Sequence, residues 1–353
     1  MPASLTTRVL TVDPEAPDVE NIRVAAAALR AGQLVAFPTE TVYGLGANAL
    51  DQDAIQRIYD AKQRPANDPI IAHITQHSQL DALAVDVPQA AYALAAAFWP
   101  GPLTLVLRRA PSIPANIATG RQTIAVRMPA NPVAYALIEA AGVPVAAPSA
   151  NTFTRPSATT AEHVLHDLGG RVEIVLDGGP THIGLESTVI DMTGAVPVVL
   201  RPGGVTMDDI QSIIPEAAYA PGYSKSDEAN VAPGQMLKHY SPNAHMMLFM
   251  GPLYSVLIAM REAAREHQAA GRQVGLLLAD EDYHHLRDAG TIVTLGRRDD
   301  LKAISHNLFA GMRDLDTQQV DVILARDFGR NGLGAALWDR LLRAAEGHVV
   351  EVS

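Results

Sequence analysis

The chain has 353 residues, of which 48% are apolar, 18% charged and 5% aromatic, and its net charge is −11. This length can bury two cores, while the acidic balance argues against a general nucleic-acid-binding protein, which is typically basic. The absence of cysteine excludes disulfides, thiolate metal sites and thiol nucleophiles. The chain starts with a polar, acidic stretch, and its longest apolar runs are about half a membrane span. We therefore expect a cytoplasmic protein without membrane contact.

The first two hundred residues alternate strand-like and helix-like stretches. Strands are predicted at 33–37, 70–74, 103–107, 124–127, 144–147, 173–177, 187–191 and 196–201. Helices are predicted at 51–63, 88–98, 132–141 and from a capping box at 159–162 to Gly169. Because no helix separates the last three strands, the pattern predicts a mixed sheet rather than a purely parallel one.

The composition changes after residue 204. A short helix is predicted at 207–214, and residues 215–234 have the Pro, Gly, Ser, Asp and Asn content of an exposed linker. Strands are then predicted at 245–250, 273–278, 291–295 and 320–324, with helices at 256–268, 301–312 and 334–345. This β-α-β alternation predicts a small parallel-sheet domain. We predict a first domain over 1–206, a linker over 207–243 and a second domain over 244–353.

An unusually polar segment follows the first predicted strand. Thr39, Glu40, Thr41 and Tyr43 come directly after Pro38. Such a strand end places hydroxyl groups and open backbone where a ligand can approach. The alternative is a turn that only links the strand to the next helix.

Two cations, Lys62 and Arg64, stand where the helix at 51–63 is broken by Pro65. Lysine as a point charge and arginine as a planar fork suit a polyphosphate. The same cations could instead complement the dipole at a helix C-terminus. His73, inside an apolar strand, is of a kind that is more often structural than catalytic.

Arg127 ends a predicted buried strand. A buried arginine needs an anionic partner, which is either a substrate carboxylate or an internal acid. Ser149, Ser187 and Arg201 also stand at strand ends, beside small residues or glycine. The chain lacks the Walker A, G-x-G-x-x-G and H-E-x-x-H motifs and an acidic metal cluster, so we predict no protein metal site.

Six motifs together resemble the threonylcarbamoyl-AMP synthases of the YrdC/Sua type. They are FPTETVYGL at 37–45, K-x-R-P at 62–65, WPGPLT at 99–104, VRMP at 126–129, PSAN at 148–151 and STV at 187–189. The segment APGQMLKHYSP at 232–242 is similar to the linker of the long, two-domain branch. The resemblance implies a YrdC-like twisted mixed sheet with helices around a concave pocket. It also implies a smaller, Rossmann-like parallel-sheet C-terminal domain.

The resemblance implies a nucleotidyltransferase that makes threonylcarbamoyl-AMP and pyrophosphate from L-threonine, bicarbonate and ATP, with Mg²⁺ accompanying ATP. Its product serves tRNA threonylcarbamoyladenosine modification, so the implied partners are tRNA threonylcarbamoyl-transfer proteins, with weak tRNA contact. The implied catalytic residues are Lys62 and Arg64. The implied threonine-binding residues are Thr41, His73, Arg127, Ser149 and Ser187. The implied ATP-binding residues are Lys62, Arg64, Asp68, Thr123, Ala147, Ser157, Arg201 and Tyr240.

Three points stay open on the sequence. The order Asn67-Asp68 differs from the Asp-Asn order common in the family, so either residue could face the nucleotide. The linker is expected to fold over the pocket as a lid through residues 238–240. The alternative functions are a double-stranded RNA- or tRNA-binding protein and a carbamoyl-transfer enzyme related to hydrogenase maturation. The second of these is disfavoured by the absence of cysteine.

Overall fold

The computed structural model describes residues 5–65, 68–220 and 239–353. These residues form two compact units. Of the described residues, the first unit contains 5–65, 68–153 and 157–220, and the second contains 239–353 together with a three-residue segment, Thr154–Pro156. None of the described helices has the length and apolarity needed to cross a membrane.

The first unit contains twelve strands and seven α-helices among the described residues. The strands are β1 (Arg8–Thr11), β2 (Val35–Phe37), β3 (Gly44–Asn48), β4 (Ile71–His73), β5 (Ala84–Val85), β6 (Leu103–Arg109), β7 (Thr123–Arg127), β8 (Val145–Ala146), β9 (Ile174–Asp177), β10 (Thr188–Asp191), β11 (Val198–Arg201) and β12 (Ala218–Tyr219). The helices are α1 (Val19–Arg30), α2 (Gln52–Lys62), α3 (Leu80–Leu83), α4 (Gln89–Phe98), α5 (Pro132–Ala141), α6 (Ala161–Leu168) and α7 (Met207–Gln211).

The strands of this unit form one mixed sheet, as the sequence predicted. Their order is β1-β9-β2-β3-β8-β4-β7-β6-β10-β11-β12, and β5 pairs with β6 outside this path. Strand β7 runs parallel to β4 but antiparallel to β6, whereas β10 runs parallel to β6. Strand ends from distant parts of the sequence therefore meet at shared edges of the sheet.

Helices cover much of this sheet because their apolar residues recur on one face. Helices α2, α4 and α6 contribute to the largest core, for example through Ile58, Leu94 and Val164. Helices α1 and α5 form a second core with β1, β2 and β9, for example through Leu29 and Leu137. A small third cluster is formed by residues from strands alone: Ile71, Val106, Ala125 and Val189, with Leu200 packed against it.

The second unit is a five-stranded parallel sheet with helices on both faces. Its elements are β13 (His245–Met250), α8 (Leu253–Ala269), β14 (Val274–Leu278), α9 (Tyr283–Leu286), β15 (Thr291–Thr294), α10 (Leu301–Thr317), β16 (Val322–Arg326), α11 (Leu333–Ala344) and β17 (Val349–Glu351). The strand order is β15-β14-β16-β13-β17, and every pair is parallel.

The two faces of the second sheet follow from the alternation of side chains along each strand. Leu276 and Leu278 pack in the core beneath α8. The intervening Leu277 points to the opposite face, where a Cβ on Gly311 of α10 would lie 2.8 Å from its Cδ1. The prediction of a Rossmann-like parallel sheet is confirmed. The strand order places β16 between β14 and β13, and so differs from the classical dinucleotide-binding order.

Most of the sequence predictions of elements hold. The sequence did not predict β1, β3, β5, β12, β17, α1, α3 and α9. The capping box assigned to 159–162 is displaced by one residue, since Thr160 is the N-cap of α6 and its hydroxyl accepts from the N–H of His163. The strand predicted at 320–324 lies at Val322–Arg326.

Residues 207–220 of the predicted linker lie in the first unit, and residues 239–243 lie in the second. Helix α7 buries Ile210 in the main core, and β12 pairs with β11. The remainder of that linker lies outside the described residues up to residue 238. The predicted domain boundaries and the lid therefore stay predictions.

Candidate functional site

The polar segment between β2 and β3 is a fixed, buried loop. The hydroxyl of Thr39 donates to the carbonyl of Val42 at 2.6 Å and lies 2.8 Å from the hydroxyl of Thr41. The carbonyl of Thr41 accepts from the N–H of Gly184 at 3.0 Å, and the carbonyl of Tyr43 accepts from the N–H of Ala150 at 2.7 Å. The loop is thus held by chain segments more than one hundred residues away.

Arg127, at the end of β7, has an internal acid as its partner. Its Nη2 forms an ion pair with Glu40 at 2.6 Å, its Nη1 donates to the Thr41 hydroxyl at 2.9 Å, and its Nε donates to the carbonyl of Gly101 at 3.2 Å. Both members of the ion pair are buried. The sequence left open whether an internal acid or a substrate would meet this arginine, and the structure supplies the acid.

His73 stands beside Arg127 because β4 and β7 are parallel neighbours in which these two residues are in register. Burial and the positive charge of Arg127 lower the pKa of His73 to about 3. The imidazole is therefore neutral at physiological pH and a poor proton acceptor there. Its Nδ1 is buried without a hydrogen-bond partner among the described residues.

Ser187 and Arg201 form a second group at the same sheet edge. The guanidinium of Arg201 donates to the Ser187 carbonyl at 2.9 and 3.1 Å and to its hydroxyl at 3.2 Å. The Ser187 hydroxyl also lies 2.7 Å from that of Thr104. Thr104 is in register with Arg127 across β6 and β7, so this group adjoins the Arg127 group.

Lys62 and Ser149 form a third group. Lys62 is the last residue of α2, and its ammonium is buried, where it donates to the carbonyls of Ser149 at 2.5 Å and of Asn151. Gly44 and Ser149 form an isolated antiparallel bridge. The lysine therefore lies against the backbone of the PSAN motif.

The side chain of Arg64 contacts Asp68 and Pro69. Its Nη2 lies 2.9 Å from Asp68 Oδ2 and donates to the carbonyl of Pro69 at 2.7 Å, and its Nε donates to the carbonyl of Asp68 at 3.1 Å. Both side chains are buried. Asp68 thus has a structural ion-pair partner, while Asn67 lies outside the described residues.

The other predicted nucleotide-binding residues of the first unit occupy three positions. Thr123 begins β7, about 13 Å along the strand from Arg127. Ala147 follows β8, and its N–H donates to the carbonyl of Ile71 at 2.8 Å. Ser157 donates its hydroxyl hydrogen to the carboxylate of Glu186, the residue before Ser187.

Tyr240 belongs to the second unit. It is fully buried, its ring lies 5.2 Å from that of Phe309, and the guanidinium of Arg340 lies 5.3 Å from its centroid. Lys238, predicted to act with it, lies outside the described residues. The predicted contact of Tyr240 with ATP therefore stays a prediction.

One face of the sheet carries Thr123, His73 and Arg127. Thr123, Ala125 and Arg127 alternate along β7 and so share a face, as Ile71 and His73 do on β4. The strand-only cluster lies on this face, between the position of Thr123 and that of Arg127. An apolar patch flanked by hydroxyls, an imidazole and cations is the usual lining of a small-molecule site.

Sequence reasoning missed three residues that this geometry makes important: Glu40, Thr104 and Glu186. Each contacts a predicted site residue directly, namely Arg127, Ser187 and Ser157. Glu40 and Thr104 stand inside the quoted motifs. Because a buried cation and a buried hydroxyl each need a hydrogen-bonding partner, these motif residues could have been selected as partners from the sequence. Nothing in the sequence pairs Glu186 with Ser157, because that contact depends on the fold.

Family models match both parts of the chain. A model described as "Telomere recombination" (Sua5_yciO_yrdC) matches residues 27–203, and one described as "Threonylcarbamoyl-AMP synthase, C-terminal domain" matches residues 205–346. The threonylcarbamoyl-AMP synthase of Pyrococcus abyssi is 46% identical over 94% of this chain and 96% of its own length. That of Bacillus subtilis is 42% identical over 98% and 97%.

Solved structures agree with these relatives. A crystal structure of P. abyssi Sua5 complexed with L-threonine has a TM-score of 0.94 at 44% identity, and the match covers 98% of this chain and 100% of that one. The structure of E. coli YciO has a TM-score of 0.50 at 28% identity, and the match covers 56% of this chain and 96% of that one. The fold prediction is confirmed, and the likeness extends over both units.

Proposed function

The chain belongs to the threonylcarbamoyl-AMP synthase family, and from this premise we propose how it acts as a nucleotidyltransferase that makes threonylcarbamoyl-AMP and pyrophosphate. The observation that supports the proposal most directly is the shared sheet face on which Arg127, His73 and Thr123 stand around a strand-only apolar patch. Motifs far apart in sequence meet there, with the charges and hydroxyls that an amino acid and a nucleotide require.

We propose that L-threonine binds at the end of this face near Arg127. Arg127 uses three of its five N–H groups internally among the described residues, which leaves one N–H on each terminal nitrogen for a substrate carboxylate. Thr41, Ser187 and the neutral His73 offer hydrogen bonds to the substrate hydroxyl and amino groups. Ser149 completes the predicted set from the side of Lys62.

ATP is proposed to extend from this point toward the start of β7. Thr123, Ala147 and Ser157 would line the nucleoside, while Lys62 and Arg201 would face the phosphates. The resemblance also implies a role for Tyr240 in ATP binding. Arg64 already has the carboxylate of Asp68 as a counter-ion. We therefore assign Arg64 and Asp68 a smaller direct share in phosphate binding than Lys62.

The proposed chemistry needs no covalent enzyme intermediate. The neutral amine of threonine takes up CO2 derived from bicarbonate, and the carbamate oxygen attacks the α-phosphate of ATP, which releases pyrophosphate. Catalysis consists of positioning and of charge stabilisation by Lys62. The described residues contain no group of three metal ligands, so we propose that Mg²⁺ enters as part of the ATP complex. The product would then serve the proteins that modify tRNA.

The test of this function is incubation of the full chain with ATP, bicarbonate and a panel of amino acids, with pyrophosphate release as the readout. Threonine-dependent release is the expected result. Equal release with serine would contradict the proposed specificity for threonine. Release that requires no amino acid would contradict the proposed activity.

Lys62→Ala tests the proposed catalytic role. Removal of the ammonium should abolish threonine-dependent pyrophosphate release while the fold persists. Stability should fall by about 1–3 kcal/mol, because the partly buried carbonyl of Ser149 and the buried carbonyl of Asn151 lose a donor. Lys302→Ala, at an exposed position in α10, is the matched control and should retain full activity. Near-normal release by folded Lys62→Ala would overturn the assignment.

A further inference from the structure

Glu40 is the one carboxylate in contact with Arg127 among the described residues, and only one of its two carboxylate oxygens has a hydrogen-bond partner there. Oε1 forms the ion pair with Arg127 and lies 2.6 Å from its Nη2. Oε2 is buried and has no hydrogen-bond partner among the described residues. An unpartnered buried carboxylate oxygen is costly, so it marks a position where a donor is expected when the site is filled.

The position of this oxygen is fixed by the backbone as well as by the ion pair. The carbonyl of Glu40 accepts from the N–H of Ile183 at 2.8 Å, and the next residue, Thr41, is held by Gly184 and by Arg127 itself. Glu40 cannot turn away without breaking the pair. The position of Oε2 is therefore as firmly fixed as that of the Arg127 guanidinium.

Arg127 and Glu40 together present opposite charges side by side. The two unused N–H groups of Arg127 suit a carboxylate, and Oε2 of Glu40 suits an ammonium. An α-amino acid carries these two groups on one carbon atom, so the pair is complementary to its zwitterion. A 2-hydroxy acid, which lacks the ammonium, would satisfy only the arginine.

The reaction also needs a proton acceptor that the sequence does not identify. The amine must be neutral before it can attack CO2, and His73, with a pKa of about 3, is a poor acceptor at neutral pH. No other described side chain adjoining Arg127 carries a negative charge.

We propose that Glu40 holds the ammonium of the amino acid substrate and accepts a proton from it, an inference that rests on the proposed function. The first transfer converts R–NH3⁺ and the carboxylate into R–NH2 and the carboxylic acid. Glu40 then gives this proton to the hydroxide that bicarbonate loses, which forms CO2 and water. As the N–C bond of the carbamate forms, the carboxylate takes the second proton from nitrogen and later releases it to solvent.

The experiment compares binding of L-threonine with that of 2,3-dihydroxybutanoate of matching configuration, in which a hydroxyl replaces the ammonium. Calorimetry on the full wild-type chain should show about 10- to 100-fold preference for threonine, as expected for a hydrogen bond between charged groups. Glu40→Gln keeps the size of the side chain and removes its charge. The variant should bind threonine more weakly and the dihydroxy acid as before, so that the preference for threonine is lost. Its kcat should also fall.

The matched control is Glu173→Gln, which removes the carboxylate of another glutamate–arginine pair in the same unit, formed with Arg57. It should leave the preference unchanged. If Glu40→Gln does not fold, Glu40→Asp carries the test, because the shorter carboxylate should weaken threonine binding and spare the hydroxy acid. ATP binding and thermal unfolding report whether each variant is folded.

Equal wild-type affinity for the two ligands would overturn the inference, as would an unchanged preference in folded Glu40→Gln or Glu40→Asp. These failures are distinct from failure of the proposed function. That function fails if the wild-type chain releases no pyrophosphate in response to threonine, whatever the variants do.

Discussion

At the scale of single residues, the candidate site is organised by buried charges that satisfy one another. The guanidinium of Arg127 has an ion pair, a hydroxyl and a carbonyl as partners. A buried charge without such partners would be strongly destabilising. The same contacts fix the orientation of the guanidinium group, so they also determine where a substrate carboxylate can bind.

The lowered pKa of His73 predicts how the stability of the protein depends on pH. Its pKa is about 3 in the folded protein and near 6.5 when the chain is unfolded. Below pH 6.5 the unfolded state binds a proton that the folded state excludes until about pH 3. Stability from the neutral imidazole is therefore complete above pH 6.5 and is lost as the pH falls through this window.

His73→Gln should remove this contribution. Its free energy of unfolding should fall less steeply than that of the wild-type chain between pH 6 and pH 4, by about 1.4 kcal/mol per pH unit. Denaturant titrations at several pH values measure the two slopes, and the remaining titratable groups are common to both proteins. Parallel slopes would show that His73 is protonated in the folded state or accessible to solvent.

At the scale of elements, the site depends on close approach between strands and loops. Gly203 follows β11, and a Cβ there would lie 2.4 Å from the N atom of Thr188 and 2.5 Å from the carbonyl oxygen of Glu186. These atoms flank Ser187. The glycine thus allows the segment after Arg201 to lie against the segment that carries Ser187.

Gly203→Ala should therefore destabilise the protein by about 1–3 kcal/mol, because the methyl group meets backbone that cannot move without distorting β10. Threonine affinity should fall as Ser187 shifts. Gly194→Ala is the control, since its Cβ would have only ordinary contact, 3.6 Å from the carbonyl oxygen of Val196. Thermal unfolding and threonine titration of both variants provide the test. Equal stability and equal threonine affinity of the two variants would mean that the loop after β11 can shift to accommodate the methyl group.

At the scale of the whole molecule, the open question is what the second unit contributes. Tyr240 stacks near Phe309 and Arg340 within that unit. The resemblance nevertheless assigns it to ATP. Tyr240→Phe keeps the ring and removes only the hydroxyl, so it separates packing from hydrogen bonding.

If the Tyr240 hydroxyl contacts the nucleotide, Tyr240→Phe should raise the KM for ATP by about 3- to 10-fold, the effect of one lost hydrogen bond. The KM for threonine should stay unchanged. Steady-state kinetics with each substrate varied in turn measures both. An unaltered KM for ATP in the folded variant would count against the predicted role of this residue and against the lid.

The sequence by itself determined the elements whose cause is local. The apolar periodicity of α2, α4 and α10, and the β-rich runs of β4, β6 and β7, were sufficient to place them within a few residues. Elements such as β3, which contains two glycines, carry little local signal and form through pairing with β2 and β8. The motifs likewise identified Arg127, Thr41 and Ser187 as candidates because their residue types are unusual at strand ends.

Only the tertiary structure decided how those candidates pair. It joins Arg127 to Glu40, turns Arg64 toward Asp68, and places Ser187 between Thr104 and Arg201. These contacts depend on which strands are neighbours and on their register, and these follow from burial over the whole sheet rather than from any short segment. The sequence thus determined the chemical groups of the site, while the packing of distant strands determined which of them neutralise one another and which remain for a substrate.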